Sequence, residues 1–322
     1  MTSPDLVAYH FCVRATTTEQ LQLPEHTGSS LRGAFFEALW GRFCVNKQAP
    51  TCVDCPLVNA CSVSGLVAPL RNEAPRGRDV PRPYAIRPPV EHARTLKPGD
   101  QFSFGLTLFG CRLDLFPYVA MALQLMAQSG TGRRTQENNW RRGRFTVDEI
   151  QAINLLSGES KLVQASASNR VIVPDLPTTW VDAEALAATL PSDRVTLHFL
   201  TPLRLTDQQK LVKHSLLRPL VERLLERHDF LASEYGGQAF ACDERNHLIE
   251  LASAAEVLQD TTTWEDVSSY SRRQGKSTPI GGLMGAITFG GKLRPLLPLL
   301  AWGMVLQAGK DTTKGNGVYS MH

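Results

Sequence analysis

The chain has 322 residues, 43% of them hydrophobic, 20% charged and 7% aromatic. This composition excludes wholesale disorder, and since single cores stop growing at about 250–300 residues, the length predicts two domains. The formal charge is a bland +3, and the longest apolar stretch, 293–306, is broken by Arg294, Pro295, Pro298 and Gly303 and falls short of the roughly 20 residues of a membrane span.

Residues 6–14 alternate, with Val7, Tyr9, Phe11 and Val13 on one face, and predict a half-buried strand. Gly28, Ser29 and Ser30 read as capping residues of a helix in which Leu31, Phe35, Leu39 and Phe43 repeat every four positions. Residues 64–100 carry seven prolines and read as an extended basic connection without regular helix. A strand follows at 102–108 and an apolar helix at 115–128. After a polar, proline-containing stretch at 174–192 the pattern restarts: a strand at 195–199, a helix at 211–230 crossed by Pro219, strands at 262–272 and 283–290, a helix at 296–306 and a strand at 317–321. Two successive β-α-β-β-α-β units are the result, an α+β fold of tandem ferredoxin-like (RRM-like) domains. The first spans 1–190, with a cysteine-rich metal-binding insertion at 44–63 and the connection at 64–100; the second spans 191–322 and carries a glycine-rich loop.

Charge is unevenly spread. Segments 71–97, 133–144 and 272–322 hold nineteen basic against five acidic side chains, and the remainder is net acidic. Concentration of this kind suits a protein that grips a polyanion, with an ordinary solvated surface as the alternative. The N-terminus, MTSPDLVAYHFCVRA, lacks the pattern of a signal peptide, so the expected compartment is the cytoplasm and the expected state of the seven cysteines is reduced.

Cys44, Cys52, Cys55 and Cys61 are spaced C-x7-C-x2-C-x5-C. Four thiolates suit a structural tetrahedral zinc; an iron–sulfur cluster and inert thiols are the alternatives. Cys12, Cys111 and Cys242 read as core residues. Gly275-Lys276-Ser277-Thr278 imitates the end of a P-loop, but Tyr270 stands where the earlier glycine is required. Gly309, Gly315 and Gly317, with Lys310 and Lys314, form a loop suited to close approach by a phosphate; Arg272, Arg273 and Lys276 precede a second glycine cluster, and the two together predict an RNA-backbone surface. His10 and His198 lie in strands, while His228 and His247 read as helix surface or helix ends. His26 stands apart, in a turn entering the first helix, where a histidine beside a bound phosphate can accept a proton.

The C-terminal stretch PIGGLMGAITFGGKLRPLLPLLAWGMVLQAGKDTTKGNGVYS, together with LPEHTGSSLRGAFFEALWGRFC, TCVDCPLVNAC, RPYAIRPP and PGDQFSFGLTLFG, resembles the cysteine-containing branch of the RAMP-superfamily endoribonucleases that process precursor CRISPR RNA. The resemblance implies a precursor crRNA repeat as substrate and no membrane. It also implies cleavage without a catalytic metal, by attack of a ribose 2′-hydroxyl that leaves a 2′,3′-cyclic phosphate. His26 matches the position where several members carry a histidine. The protein is then expected to be an RNA-cutting enzyme that can stay with its product among CRISPR effector-complex subunits; the alternatives are a crRNA-binding RAMP subunit that does not cut, and a zinc-bearing nucleic-acid-binding protein outside CRISPR.

Overall fold

The computed structural model describes residues 5–69, 80–90, 95–166, 170–207, 209–214, 217–271 and 275–322. The chain divides into two compact units, one of residues 9–153 and 160–176, the other of residues 1–8, 154–159 and 177–322.

The first unit is built from β1 (Ala8–Thr17), β2 (Leu21–Gln22), α1 (Thr27–Phe43), α2 (Ser62–Val67), β3 (Tyr84–Arg87), β4 (Thr95–Leu96), β5 (Gln101–Phe109), α3 (Phe116–Ser129), β6 (Thr131–Thr135), β7 (Arg141–Gly143), β8 (Phe145–Ile153) and β9 (Ser160–Ala165). Its sheet runs β3-β5-β1-β8-β9. Stripped of the edge strand β9, this is the 2-3-1-4 order of a ferredoxin-like fold, with α1 and α3 as its two helices. Alternation along β1 sends Phe11, Val13 and Ala15 inward, and Phe11 stacks on Phe116 of α3 at 4.6 Å. The other face of β1 is polar: His10, 3% exposed, bonds through Nδ1 to Thr107 Oγ1 at 2.9 Å. Burial, with Arg87 nearby, lowers its pKa to about 3, so it is the neutral hydrogen-bonded sheet histidine expected.

The 64–100 connection differs from its reading. Residues 64–67 belong to α2, and Tyr84–Arg87 is a strand of the sheet. Pro83, Pro88 and Pro89 bracket that strand without breaking it because β3 is an edge.

The second unit contains α4 (Trp180–Ala188), β10 (Arg194–Leu203), β11 (Thr206–Asp207), β12 (Lys210–Leu211), α5 (Leu217–Tyr235), α6 (Cys242–Ala254), β13 (Glu256–Asp260), β14 (Thr263–Glu265), β15 (Ser268–Ser271), β16 (Lys276–Pro279), β17 (Gly282–Gly290), α7 (Leu297–Leu306) and β18 (Tyr319–Met321). The sheet order β13-β17-β10-β18 repeats 2-3-1-4, with α5 and α7 in the helix positions and β14 also pairing with β17. Central β10 and β17 are antiparallel, with Val195 opposite Phe289 and Leu197 opposite Ile287. The stretch read as a polar linker contains α4, started by a capping box in which Thr179 and Asp182 satisfy each other's ends. It packs on α7, an apolar helix buried on nearly every side. Helix α5 begins at Leu217, so Pro219 lies in its first turn, where the missing N–H costs nothing.

His228 corrects its helix-surface reading. It is fully buried in α5, where Trp302 Nε1 donates to its Nδ1 at 3.1 Å and Nε2 lies 3.0 Å from Gln238 O. An indole N–H only donates, so Nδ1 must accept and Nε2 must carry the proton. Burial lowers the pKa and keeps the ring neutral. Cys111 and Cys242, expected in the core, are exposed, and Cys12 is half-buried. No helix among the described residues is long and apolar enough to cross a membrane.

Candidate nucleic-acid interface

In the second unit, the connection from α7 to β18 holds four left-handed or otherwise positive-φ residues in sequence order, Gln307 (59°), Gly309 (78°), Asp311 (64°) and Gly315 (86°), followed by Gly317 (74°). The last is dictated by close approach as well as by φ, since a Cβ there would fall inside van der Waals contact of the Ala308 carbonyl oxygen. The loop is closed by its own amides: Ala308 N donates to Gly317 O at 3.0 Å, Lys310 N to Arg204 O at 3.0 Å and Gly317 N to Pro202 O at 3.1 Å. Asn316 Nδ2 adds a bond to Ile280 O at 2.7 Å. These bonds hold the loop in shape, and side-chain charge stands on it as well. Lys310 is exposed; Lys314 is half-buried and paired with Asp311 at 2.8 Å.

Lys276 is exposed at the start of β16, whose Lys276 pairs with Ser271 of β15. Arg272 and Arg273 lie outside the described residues. Gly282, in the adjoining glycine cluster, lets β17 lie against the Leu203 carbonyl, where a Cβ has no room. An open cleft of about 930 Å³ in the same unit, between β12, the start of α5 and the end of α6, is lined by Lys210, Lys213, His214 and Arg218, a basic group that periodicity alone did not single out.

In the first unit His26 is the N-cap of α1, with φ −107° and ψ 81°, half-buried, its imidazole making no capping bond. The helix therefore starts one residue before Gly28, and Gly28, Ser29 and Ser30 occupy its first turn instead of capping it. No acidic side chain occupies that turn, which leaves the positive helix end uncompensated from within.

Cys44 ends α1 and Cys61 precedes α2; Cys55 N–H donates to Cys52 O at 3.3 Å across one turn, and Asn46 Nδ2 lies 3.5 Å from Cys55 Sγ. All four cysteines are half-buried, yet no three of their sulfurs lie within 4.8 Å of one another. The intervening segment buries no apolar side chain, and Val45, Val53 and Leu57 are exposed. The donor chemistry fits a thiophilic ion, and the segment has no core of its own to order it.

Both halves of the chain match known families. Residues 197–319, which include the α7–β18 loop, match the family model of the CRISPR-associated endoribonuclease Cas6. This part of the chain is similar to Cas6. Residues 5–175 match a second family model, described as an N-terminal domain. Among solved structures, the chain resembles the product complex of Cas6 (TTHB231), a protein of Thermus thermophilus, at 17% identity and a TM-score of 0.57, over 98% of this chain and 99% of that one. It also resembles the Cas6 (TTHA0078) product complex, at 15% identity and TM-score 0.52 with the same coverage. A partial Cas6-RT-Cas1–Cas2 complex matches at 14% identity and TM-score 0.58, over 99% of this chain and 46% of the other. These likenesses carry the fold. Comparison with curated protein sequences finds no match.

Proposed function

We propose that the protein cuts precursor CRISPR RNA within its repeats, with RNA chemistry alone and no catalytic metal. The observation that carries this reading is the Cas6 endoribonuclease match over residues 197–319, which contains a loop built to be rigid with a free-standing cation, Lys310, on it. In the reaction, the ribose 2′-oxygen attacks the adjacent phosphorus as its proton passes to a base; the bond from phosphorus to the 5′-oxygen breaks, and a general acid protonates that oxygen. The products are a 2′,3′-cyclic phosphate and a 5′-hydroxyl. His26, at the N-cap of α1, is the proposed base. Lys310 and Lys276, with Arg272 and Arg273, contact phosphates along the bound RNA. Lys314, held by Asp311, shapes the loop. In the same reading Cys44, Cys52, Cys55 and Cys61 close around one structural zinc that orders the segment joining α1 to α2 and takes no part in the chemistry.

The test is incubation of the purified protein with labelled repeat RNA from its own genomic neighbourhood in excess EDTA, beside substrates with one 2′-deoxy substitution at each candidate position. Cleavage that survives EDTA and disappears for a single deoxy position supports the mechanism, and His26→Ala should then lower the rate by about 10²–10⁴-fold. Tight binding without cleavage would instead leave a crRNA-binding RAMP subunit.

A further inference from the structure

The β6–β7 hairpin of the first unit carries an exposed side chain with no structural duty on a firmly held backbone. Residues 136–140 join the two strands; Asn139 and Trp140 take φ values of 53° and 58°, and Trp140 is 67% exposed. A left-handed conformation is unfavourable for an ordinary residue and rare for a bulky one. Here the surroundings enforce it. Trp140 N–H donates to Thr135 O at 2.8 Å and Asn139 N–H to Gln136 O at 2.9 Å, while Asn138, buried, ties the turn to Gln20 O through Nδ2 at 2.6 Å. The base of the hairpin is equally fixed: Gly143 leaves no room for a Cβ against the backbone of Gln20 and Leu21, and Gly132 N–H donates to Ser30 Oγ at 3.0 Å.

The two strands of this hairpin and the residue after them carry five arginines. Arg144 occupies Glu19 at 2.5 Å and holds that carboxyl below the usual carboxylate range; Arg142 occupies Glu37 at 2.7 Å. Arg141 reaches the already engaged Glu19 only at 3.9 Å. Arg133 and Arg134 are exposed and form no ion pair with a described residue, although Arg134 sits directly across the ladder from Arg142, a like-charge placement that disfavours the hairpin. A flat aromatic surface presented to solvent, on the same hairpin as two uncompensated guanidinium groups, matches a ligand that is flat and anionic at once. A nucleotide has both properties, and an unpaired one exposes the face that an indole stacks on.

We propose that Trp140 stacks on one unpaired base of the bound RNA while Arg133 and Arg134 contact the flanking phosphates, making this hairpin a recognition element distinct from the α7–β18 loop. The inference rests on the RNA-processing reading above and names where part of its selectivity arises.

The experiment measures equilibrium binding of the full chain to repeat RNA made uncleavable by a 2′-deoxy substitution, for wild type, Trp140→Ala, Trp140→Phe and Arg133→Ser/Arg134→Ser, and repeats it with an abasic nucleotide at each unpaired position. Trp140→Ala should weaken binding roughly 5- to 100-fold, and Trp140→Phe should recover most of it. At one abasic position wild type should fall to the level of Trp140→Ala, with no further loss in the variant. The double arginine variant should show a shallower dependence of affinity on salt. Wild-type affinity in Trp140→Ala, or losses that add at every abasic position, would overturn the stacking role and leave the RNA-processing reading intact. Unchanged RNA binding with loss of a co-purifying subunit would overturn it in favour of a protein surface. No RNA binding by the wild type would overturn both. Should Trp140→Ala misfold by circular dichroism, the same abasic comparison on Trp140→Phe and wild type decides.

Discussion

Gly303 lies in the middle of α7, where alanine would gain roughly 1 kcal/mol of helix propensity. Packing forbids it: a Cβ there would meet the Tyr319 hydroxyl and both methyls of Leu224, and that hydroxyl is fixed by donating to Leu300 O at 2.6 Å. Gly303→Ala is therefore expected to lower the melting temperature, by about 1–3 kcal/mol of stability, and Tyr319→Phe in the same chain to recover part of the loss by vacating the hydroxyl's space. His10 yields a pH prediction. Its folded pKa, lowered to about 3, lies below the ordinary histidine value of 6.5, so the unfolded chain binds more protons between those limits. Stability is then complete above about pH 6.5 and falls as the pH drops toward 3, by about 2 kcal/mol at pH 5. Urea midpoints at pH 7 and 5 measure this, and His10→Asn should flatten the difference whatever its own stability. At this scale the sequence was readable where residue type and local turn agree, as at His26 and His10. It misled at His228, whose burial comes from Trp302 of α7 and from the segment holding Gln238 and Phe240, and it did not mark Trp140, whose proposed role rests on exposure and a backbone angle.

Among elements, the segment 44–61 stands out for having secondary structure at both ends and no buried apolar residue between. In the proposed reading, the four thiolates order it around a zinc ion. We expect about one zinc per chain by elemental analysis, lost in Cys52→Ser, and faster amide exchange confined to this segment when a chelator removes the ion. Iron with visible absorbance would replace zinc by a cluster. Element types were legible wherever the period of two or of 3.6 ran long enough, as in β5 and α3. Short pieces escaped: β3 has four residues between prolines, and α6 has a weak apolar face with only Leu248 and Ala252 buried. The start of α4 was readable, because Thr179-x-x-Asp182 is a capping box, but the prolines around it suggested a linker.

For the whole molecule, the even charge total conceals its main electrostatic property. If Lys276 and Lys310 each neutralise a phosphate, replacing both by glutamine should weaken binding to all RNAs alike and reduce the log–log salt slope by about 1.4, whereas Trp140→Ala should leave that slope unchanged. Titrating affinity from low to high salt separates the two. The duplicated fold was legible because each half repeats its strand–helix rhythm in the same order; the extra strands at sheet edges were not, since pairing partners are settled only in three dimensions.

The duplication reaches further than the sheets. In each unit the basic, left-handed segment falls at one topological address, the connection leaving the second helix for the fourth strand: the β6–β7 hairpin after α3, and the glycine-rich loop after α7. The two connections differ there, one carrying arginines and an indole, the other glycines and two lysines. One connection of a repeated fold thus exposes two chemistries, flat aromatic and guanidinium in the first unit, glycine backbone and amine in the second.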